Sequence, residues 1–200
     1  MQLEQKFFER HLDNDLSDLA TYLQHEYLMM KNGSYGEFNT TGLFEESNSI
    51  STMNWYKYNA LQFYRPEMHK LMKAIKEMTL EACEYYNLDF DKQQFYVQSW
   101  FNINYTKKGK LEWHDHHNEG APRFHGYYCV NAEPSTTYYR VNGKEIENIN
   151  KDNRAILSET GHQHAMGDWD WEGARITIAY DVIPLRLLIT DWNQHWIPLV

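Results

Sequence analysis

Apolar residues recur every three to four positions near the start of the chain. Leu16, Leu19, Ala20 and Leu23 share one face of a helix, and this periodicity predicts an amphipathic helix over residues 14–27. Residues 32–53 are rich in glycine, asparagine, serine and threonine, which predicts a long loop. Because long loops in compact domains are often functional, we interpret this segment as a candidate lid over a site.

A second helix is predicted to begin at Pro66, because proline is favoured in the first turn of a helix. Asn87 is a suitable residue to cap its C-terminal end. We interpret the methionine-rich side of this helix as core packing and not as a ligand site. The predicted apolar side consists of Met68, Leu71, Met72, Ile75, Met78, Leu80, Ala82 and Cys83.

The pattern changes after residue 94 to short runs rich in tyrosine, valine, isoleucine, threonine and tryptophan, separated by turn residues. Such runs predict strands, and here they cover 95–100, 102–106, 111–114, 126–130, 136–141, 154–157 and 176–182. Residues 144–154 are polar and are predicted to form an exposed turn. Strands without intervening helices favour a sandwich or jelly-roll barrel. Helices first and strands afterwards give an α+β fold, with the helices packed on one face of the barrel.

The length of 200 residues fits a single domain over residues 1–200. We expect residues 1–90 to provide helical support and the lid, and residues 94–183 to form the β core. The segment 184–200 is unusually apolar for a tail, so we expect it to pack on the barrel or on a second subunit, which would make a homodimer.

The net charge of −9 argues against a general nucleic-acid-binding protein, which would usually be basic. No apolar stretch reaches the length of a membrane span, and the charged N-terminus lacks a signal-peptide core. The two cysteines, Cys83 and Cys129, lie far apart in the sequence, which favours a reducing, cytoplasmic compartment.

Six of the ten histidines fall between residues 114 and 164. On a strand, His114 and His116 would project to the same side while Asp115 faces away. A third ligand would come from His162 or His164. Imidazole ligands suit iron, zinc, copper and nickel, and three protein ligands on one side of a metal leave positions open for substrate.

Two further histidines of this region, His117 and His125, are expected to lie beside the metal ligands or at the surface. The sequence therefore predicts a divalent transition-metal site with catalytic character.

The motifs around these histidines resemble those of the Fe(II)- and 2-oxoglutarate-dependent oxygenases, in particular the members found in bacteriophages and marine bacteria. The resemblance covers roughly residues 60–183 and implies a double-stranded β-helix core. The matching segments are 99–103, Gly109, 114–116, 126–130, His164 and 175–180.

The resemblance implies that His114, His116 and His164 bind Fe(II), with His164 favoured over His162 by its interval of eleven residues before Arg175. It further implies that Arg175 and Thr177 bind the distal carboxylate of 2-oxoglutarate. A guanidinium suits that role because it forms a two-pronged, charge-assisted bond to a carboxylate.

One of three tyrosines on neighbouring strands, Tyr105, Tyr127 or Tyr128, is a further candidate for contacting the co-substrate. Tyr105 and Tyr128 are the two that we assign to the co-substrate.

The implied activity is hydroxylation of a protein side chain or a small metabolite with O2, releasing succinate and CO2. If the chain is phage-encoded, the host cytoplasm is the expected location. Most of the family has aspartate or glutamate where this chain has His116, so the resemblance implies a three-histidine site without a carboxylate ligand.

Two alternatives remain open at this point. A cupin-type dioxygenase or isomerase shares the double-stranded β-helix, and Glu119 would then be a fourth ligand. Cupins do not require the Arg175-x-Thr177 pair, which favours the oxygenase. A non-enzymatic, metal-stabilised structural or binding module, for instance of a phage particle, would fit the acidic and aromatic composition equally well.

Overall fold

The computed structural model describes residues 6–32, 49–54, 58–105, 113–116, 123–188 and 195–200. The helices are α1 Leu16–Asn32, α2 Pro66–Tyr85 and the single turn α3 Phe90–Gln93. The strands are β1 Phe8–His11, β2 Ser49–Ser51, β3 Phe95–Asn104, β4 Phe124–Asn131, β5 Thr136–Val141, β6 Lys144–Ile149, β7 Arg154–Glu159, β8 Gln163–Met166, β9 Arg175–Pro184 and β10 Ile197–Pro198.

Two antiparallel sheets form the core of the fold. The larger sheet has the order β1-β7-β4-β9-β3-β10, with β2 also paired to β3, and the smaller sheet has the order β6-β5-β8. His114 extends the smaller sheet through a bridge to His164 of β8. The chain passes repeatedly between the two sheets, as in a double-stranded β-helix. The predicted α+β class with this core is therefore confirmed.

Side-chain alternation divides the larger sheet into two faces with different partners. One face packs against α1 and α2 and contributes residues such as Phe101, Tyr128, Ile178 and Tyr180 to the main core. The opposite face meets β5 of the smaller sheet in a second cluster. That second cluster consists of Trp100, Tyr127, Cys129, Ala132, Tyr139, Val141, Ile156 and Ala179. The interior of the barrel is therefore lined by the residues that do not face the helices.

Helix α2 begins at Pro66, as predicted, and its end is capped in the expected way. Asn87 adopts the left-handed conformation with φ 54°, and Leu88 N–H donates to the carbonyl of Cys83 at 2.7 Å. Met68 and Met78 are buried in the core and Met72 is partly buried against it, but Leu80 is 42% exposed, so its assignment to the apolar side was wrong. Helix α1 begins two residues later than predicted and extends five residues further.

The segment from Lys144 differs from the predicted turn because its first six residues form β6. Asn142 and Gly143 have φ values of 50° and 74°, which suits the two-residue turn of a tight hairpin. This turn pairs β6 with β5 along their whole length. The prediction of exposure was correct, since β6 is an edge strand whose residues mostly face solvent.

The C-terminal residues pack on the same chain's larger sheet. Ile197 and Pro198 pair with β3, and Leu199 N–H donates to the carbonyl of Phe95 at 2.8 Å. The homodimer remains a prediction. Most of the candidate lid, residues 33–48, lies outside the described residues. Within the described ranges, no helix combines the length and apolar character needed to cross a membrane.

Gly126 provides a test of how tightly β4 is packed between β7 and β9. A methyl group at this position would overlap the backbone carbonyl of Ile156 and the ring of Tyr180. We expect Gly126→Ala to lower the free energy of unfolding by about 3 kcal/mol, because neither neighbour can move freely. Chemical denaturation would measure the change.

The matched control is Gly143→Asn. A Cβ atom at Gly143 would meet no other atom within 4 Å, and asparagine tolerates the positive φ of this position. We therefore expect a loss below about 1 kcal/mol. Equal losses in the two variants would contradict the steric explanation.

Candidate active site

The backbone pairing of His114 with His164 brings two distant parts of the chain together. Each donates its N–H to the other's carbonyl, at 3.2 Å from His114 and 2.8 Å from His164. Directly opposed residues of an antiparallel pair project to the same side. Their ring centroids accordingly lie 4.2 Å apart. On the other edge of β8, His164 pairs with Tyr139, a member of the interior cluster, so both imidazoles face the barrel interior.

Side-chain alternation along residues 113–116 directs His116 into the same barrel interior. Asp115 is exposed, as predicted, whereas His116 points inward and stacks near Trp100 with a centroid distance of 6.1 Å. On the outward side, the Arg140 guanidinium lies 3.9 Å from the centre of the Trp113 ring. This cation–π contact helps hold the short segment against β5.

His114, His116 and His164 together form a group that could hold a metal ion. One ring nitrogen of each lies within 4.8 Å of the others. Nitrogen atoms that share a metal at about 2.1 Å lie no more than about 4.2 Å apart, so small side-chain rotations would close the site. His162 belongs to no such group among the described residues, and it flanks β8 at its start.

A second group shares His116 and adds two residues of the larger sheet, His125 and Asp181. Oδ2 of Asp181 lies 3.0 Å from Nδ1 of His116, and Oδ1 lies 2.7 Å from Nδ1 of His125. His125 and Asp181 face each other across β4 and β9. The rings of His116 and His125 have centroids 3.9 Å apart, and His125 lies 4.7 Å from His164.

Burial and neighbouring charges set the protonation of this cluster. Burial holds the pKa of His164 well below its ordinary value, and it lowers the pKa of His125 to about 4. Burial acts in the same direction on His116, but the Asp181 carboxylate outweighs it and raises the pKa of that ring. Burial would raise the pKa of Asp181, but His116 and the two imidazole hydrogen bonds bring it below its ordinary value.

Arg175 begins β9 and is 5% exposed. Its Nε–H donates to Oγ of Ser135 at 3.0 Å, and it has no ion-pair partner among the described residues. Burial lowers the pKa of this guanidinium, while electrostatic interactions with Cys129, Tyr127 and Tyr139 act in the opposite direction. Burial raises the pKa of the Cys129 thiol to about 11, so that neighbour is neutral near pH 7. The positive charge therefore lacks a compensating anion within the described structure.

Thr177 lies two residues further along β9 and faces the same interior as Arg175. Its cross-strand partner on β3 is Asn102, and Arg175 is opposite Asn104. The side-chain carbonyl oxygen of Asn102 is buried and has no hydrogen-bond partner among the described residues. Unpaired buried polar atoms are uncommon, so this end of the interior is suited to a polar ligand.

The two tyrosines that were assigned to the co-substrate, Tyr105 and Tyr128, do not face the barrel interior. Tyr128 projects to the helix face, where it accepts a hydrogen bond from Asn14 at 2.9 Å and donates to Asn153 at 2.6 Å. Tyr105 is 49% exposed at the end of β3, near Tyr27. Tyr127, one residue from Tyr128, is the tyrosine that faces the interior. We therefore leave Tyr105 and Tyr128 out of the proposed site.

Asp181 and Asn102 are site residues that sequence reasoning missed. Asp181 stands six residues after Arg175, so strand alternation alone assigns both to one face. An acidic residue within an otherwise apolar strand was the available signal. His125 was expected beside the ligands or at the surface, and it is buried beside them. His117 and Glu119, the fourth ligand of the cupin alternative, lie outside the described residues.

Known structures share this architecture at low sequence identity. A Pseudomonas putida prolyl-4-hydroxylase superposes with a TM-score of 0.60 and 11% identity, covering 90% of this chain and 93% of that chain. SnoK, a non-haem α-ketoglutarate-dependent carbocyclase of nogalamycin biosynthesis, superposes with a TM-score of 0.57 and 12% identity, covering 90% of this chain and 80% of that chain. This is the fold of the 2-oxoglutarate-dependent oxygenases.

A Trichoplax adhaerens prolyl hydroxylase, solved with a peptide fragment of hypoxia-inducible factor, gives a TM-score of 0.55 at 9% identity, covering 90% of this chain and 84% of that chain. No protein-family model matches the sequence, and no curated protein matches it. At such identities the likeness establishes the fold alone.

The placement of Tyr128 can be tested directly. We expect Tyr128→Phe to lower the free energy of unfolding by about 1–2 kcal/mol, because the buried Asn14 and Asn153 amides lose their shared hydroxyl. Metal binding should be unchanged, because the hydroxyl lies on the helix side of the sheet. Denaturation and a metal titration on the same variant would measure both; a marked loss of metal affinity with intact stability would contradict this placement.

Proposed function

We propose that this protein is an Fe(II)- and 2-oxoglutarate-dependent oxygenase. The observation that carries the proposal is one interior in which three imidazoles converge and a buried guanidinium lacks an anion among the described residues. Tyr139 connects the two features, because its ring lies 5.8 Å from His164 and it also interacts electrostatically with Arg175. A metal ion would bind the three imidazoles, and an anionic co-substrate would neutralise the guanidinium.

In this proposal His114, His116 and His164 hold the metal. Metal ligation requires neutral imidazoles, and the low pKa of His164 meets that requirement. The bound Fe(II) would supply the activation of O2 that no protein side chain can provide. Three protein ligands on one side leave room for 2-oxoglutarate and O2.

Arg175 and Thr177 would bind the distal carboxylate of 2-oxoglutarate. A carboxylate beside Arg175 would neutralise a charge that is costly to bury alone. The guanidinium can donate two parallel bonds, and the Thr177 hydroxyl can add a third. The unpaired amide carbonyl of Asn102 marks the same region as a place for ordered water or ligand.

The proposed overall reaction consumes 2-oxoglutarate and O2, and it places one oxygen atom in succinate, with release of CO2, and the other in the hydroxyl group of a second substrate. A protein side chain and a small metabolite both remain compatible with the site. The two prolyl hydroxylases and the carbocyclase that share the fold act on different substrates, so the fold does not select between them. A cytoplasmic location and kinship with phage or marine-bacterial oxygenases are further parts of the proposal.

Anaerobic spectroscopy tests the metal ligands. The protein with Fe(II) and 2-oxoglutarate should show a weak visible charge-transfer band that requires both components. We expect His164→Ala to abolish the band and to weaken metal affinity by at least about 100-fold, since losing a ligand costs more than losing an outer hydrogen bond.

The exposed His69 provides the control, and His69→Ala should retain the wild-type band. Full retention of the band in His164→Ala would refute the assignment of His164. Tight metal binding without any band in the wild-type protein would favour a cupin or a metal-stabilised module.

Arg175→Ala tests the co-substrate site separately. We expect the 2-oxoglutarate concentration needed for half of the band to rise about 100-fold, because the charge-assisted pair is lost, while metal affinity stays within about threefold. Arg186→Ala, an exposed arginine just after β9, should behave as the wild type. Equal loss of metal and co-substrate in Arg175→Ala would instead indicate a structural role.

A further inference from the structure

The carboxylate of Asp181 is shared between two imidazoles of the cluster. Each carboxylate oxygen faces a different Nδ1, at 3.0 Å for His116 and 2.7 Å for His125. All three side chains are nearly inaccessible to solvent. Both distances are those of hydrogen bonds, and two donors on one buried carboxylate form a rigid unit.

This arrangement determines how His116 can meet a metal. An imidazole that donates from Nδ1 to a carboxylate has its Nε2 free for ligation. Such an outer hydrogen bond fixes the orientation of a metal-binding ring and makes it a better electron donor. The rings of His114 and His164 have centroids 5.8 Å and 5.2 Å from that of His116, so they are the neighbouring imidazoles that could share a metal with it.

We propose that Asp181 is the positioning carboxylate of the metal site: it holds His116 by Nδ1, outside the coordination sphere, so that Nε2 ligates the metal beside His114 and His164. The proposal rests on the metal site of the proposed function. The negative charge that a carboxylate ligand in place of His116 would bring is thereby present one hydrogen bond away from the His116 ring.

His125 completes this unit by occupying the second oxygen of Asp181. Without a donor there, the carboxylate could rotate or bind the metal itself. The cross-strand pairing of His125 with Asp181 on β4 and β9 fixes the distance between them. His125 is thus a second positioning residue and not a ligand.

The competing arrangement places the metal on His116, His125 and Asp181, whose ligand atoms also lie within 4.8 Å of one another. The two arrangements make opposite demands on His125. In our proposal it needs only an N–H at the position of Nδ1, whereas the alternative requires an imidazole nitrogen that binds the metal.

Co(II) titration, followed by its visible absorption, separates the two arrangements. We expect Asp181→Asn to weaken Co(II) binding about 10- to 100-fold, because asparagine removes the charge and one acceptor while keeping the size. His125→Asn keeps a donor near the position of Nδ1 and should bind Co(II) within about threefold of the wild type. His164→Gln should lose binding.

A second measurement uses the unaltered protein, in case Asp181→Asn does not fold. In the Zn(II)-loaded protein, long-range proton–nitrogen correlation spectra should show His116 with its proton on Nδ1 and the metal on Nε2. A merely structural role of Asp181 would not impose this tautomer.

Three outcomes would overturn the inference while leaving the proposed function standing. These are wild-type Co(II) affinity in Asp181→Asn, loss of binding in His125→Asn comparable to that in His164→Gln, and a metal on Nδ1 of His116. Absence of any Co(II) or Zn(II) binding by the wild-type protein would overturn both proposals together.

Discussion

The register of β9 between β3 and β4 is the constraint on which the rest of the structure depends. Its even-numbered residues Ile176, Ile178, Tyr180 and Val182 pack against the helices. Its odd-numbered residues, among them Arg175, Thr177 and Asp181, face the barrel interior. A slip by one residue would exchange the two sets and would bury the charges among the helices, so the hydrophobic face and the polar interior enforce the same register.

Two opposite charges occupy the interior face of this one strand. Arg175 and Asp181 are six residues apart, which corresponds to about 20 Å of extended chain, so they do not neutralise each other directly. The Asp181 carboxylate is hydrogen-bonded to two imidazoles, whereas the Arg175 guanidinium donates a hydrogen bond to the hydroxyl of Ser135. The asymmetry gives the interior one end organised around histidines and another end suited to an anion.

Backbone pairing, and not side-chain attraction, assembles the histidine cluster. His114 and His164 are joined by two main-chain hydrogen bonds, and His125 and Asp181 are opposed within the larger sheet. Bringing four imidazoles together is unfavourable when they are protonated, and burial shifts the pKa values of His125 and His164 so that their neutral forms are favoured. The two sheets therefore impose a geometry that a metal would stabilise.

Local signals were enough to predict the strand-rich core, the common side of His114 and His116, and, from Pro66 and Asn87, the start and cap of α2. Each of these depends on residues within a short segment, through strand alternation or through the backbone preferences of proline and asparagine. The resemblance to a family then selected His164 and Arg175. The turn residues Asn142 and Gly143 carry a hairpin signal that predicts β6, although the polar character of the segment favoured an exposed turn.

Only the tertiary structure could decide which distant segments meet. His116, His125 and Asp181 come together because of the order of strands in two sheets. The interval of 65 residues between His116 and Asp181 does not predict this contact. Likewise, strand alternation predicts that Tyr127 and Tyr128 lie on opposite faces of β4. Only the position of the helices shows that Tyr127 faces the barrel interior. Short-range patterns specify which residues share a face of a strand or helix. Which other element packs against that face depends on contacts between distant parts of the folded chain.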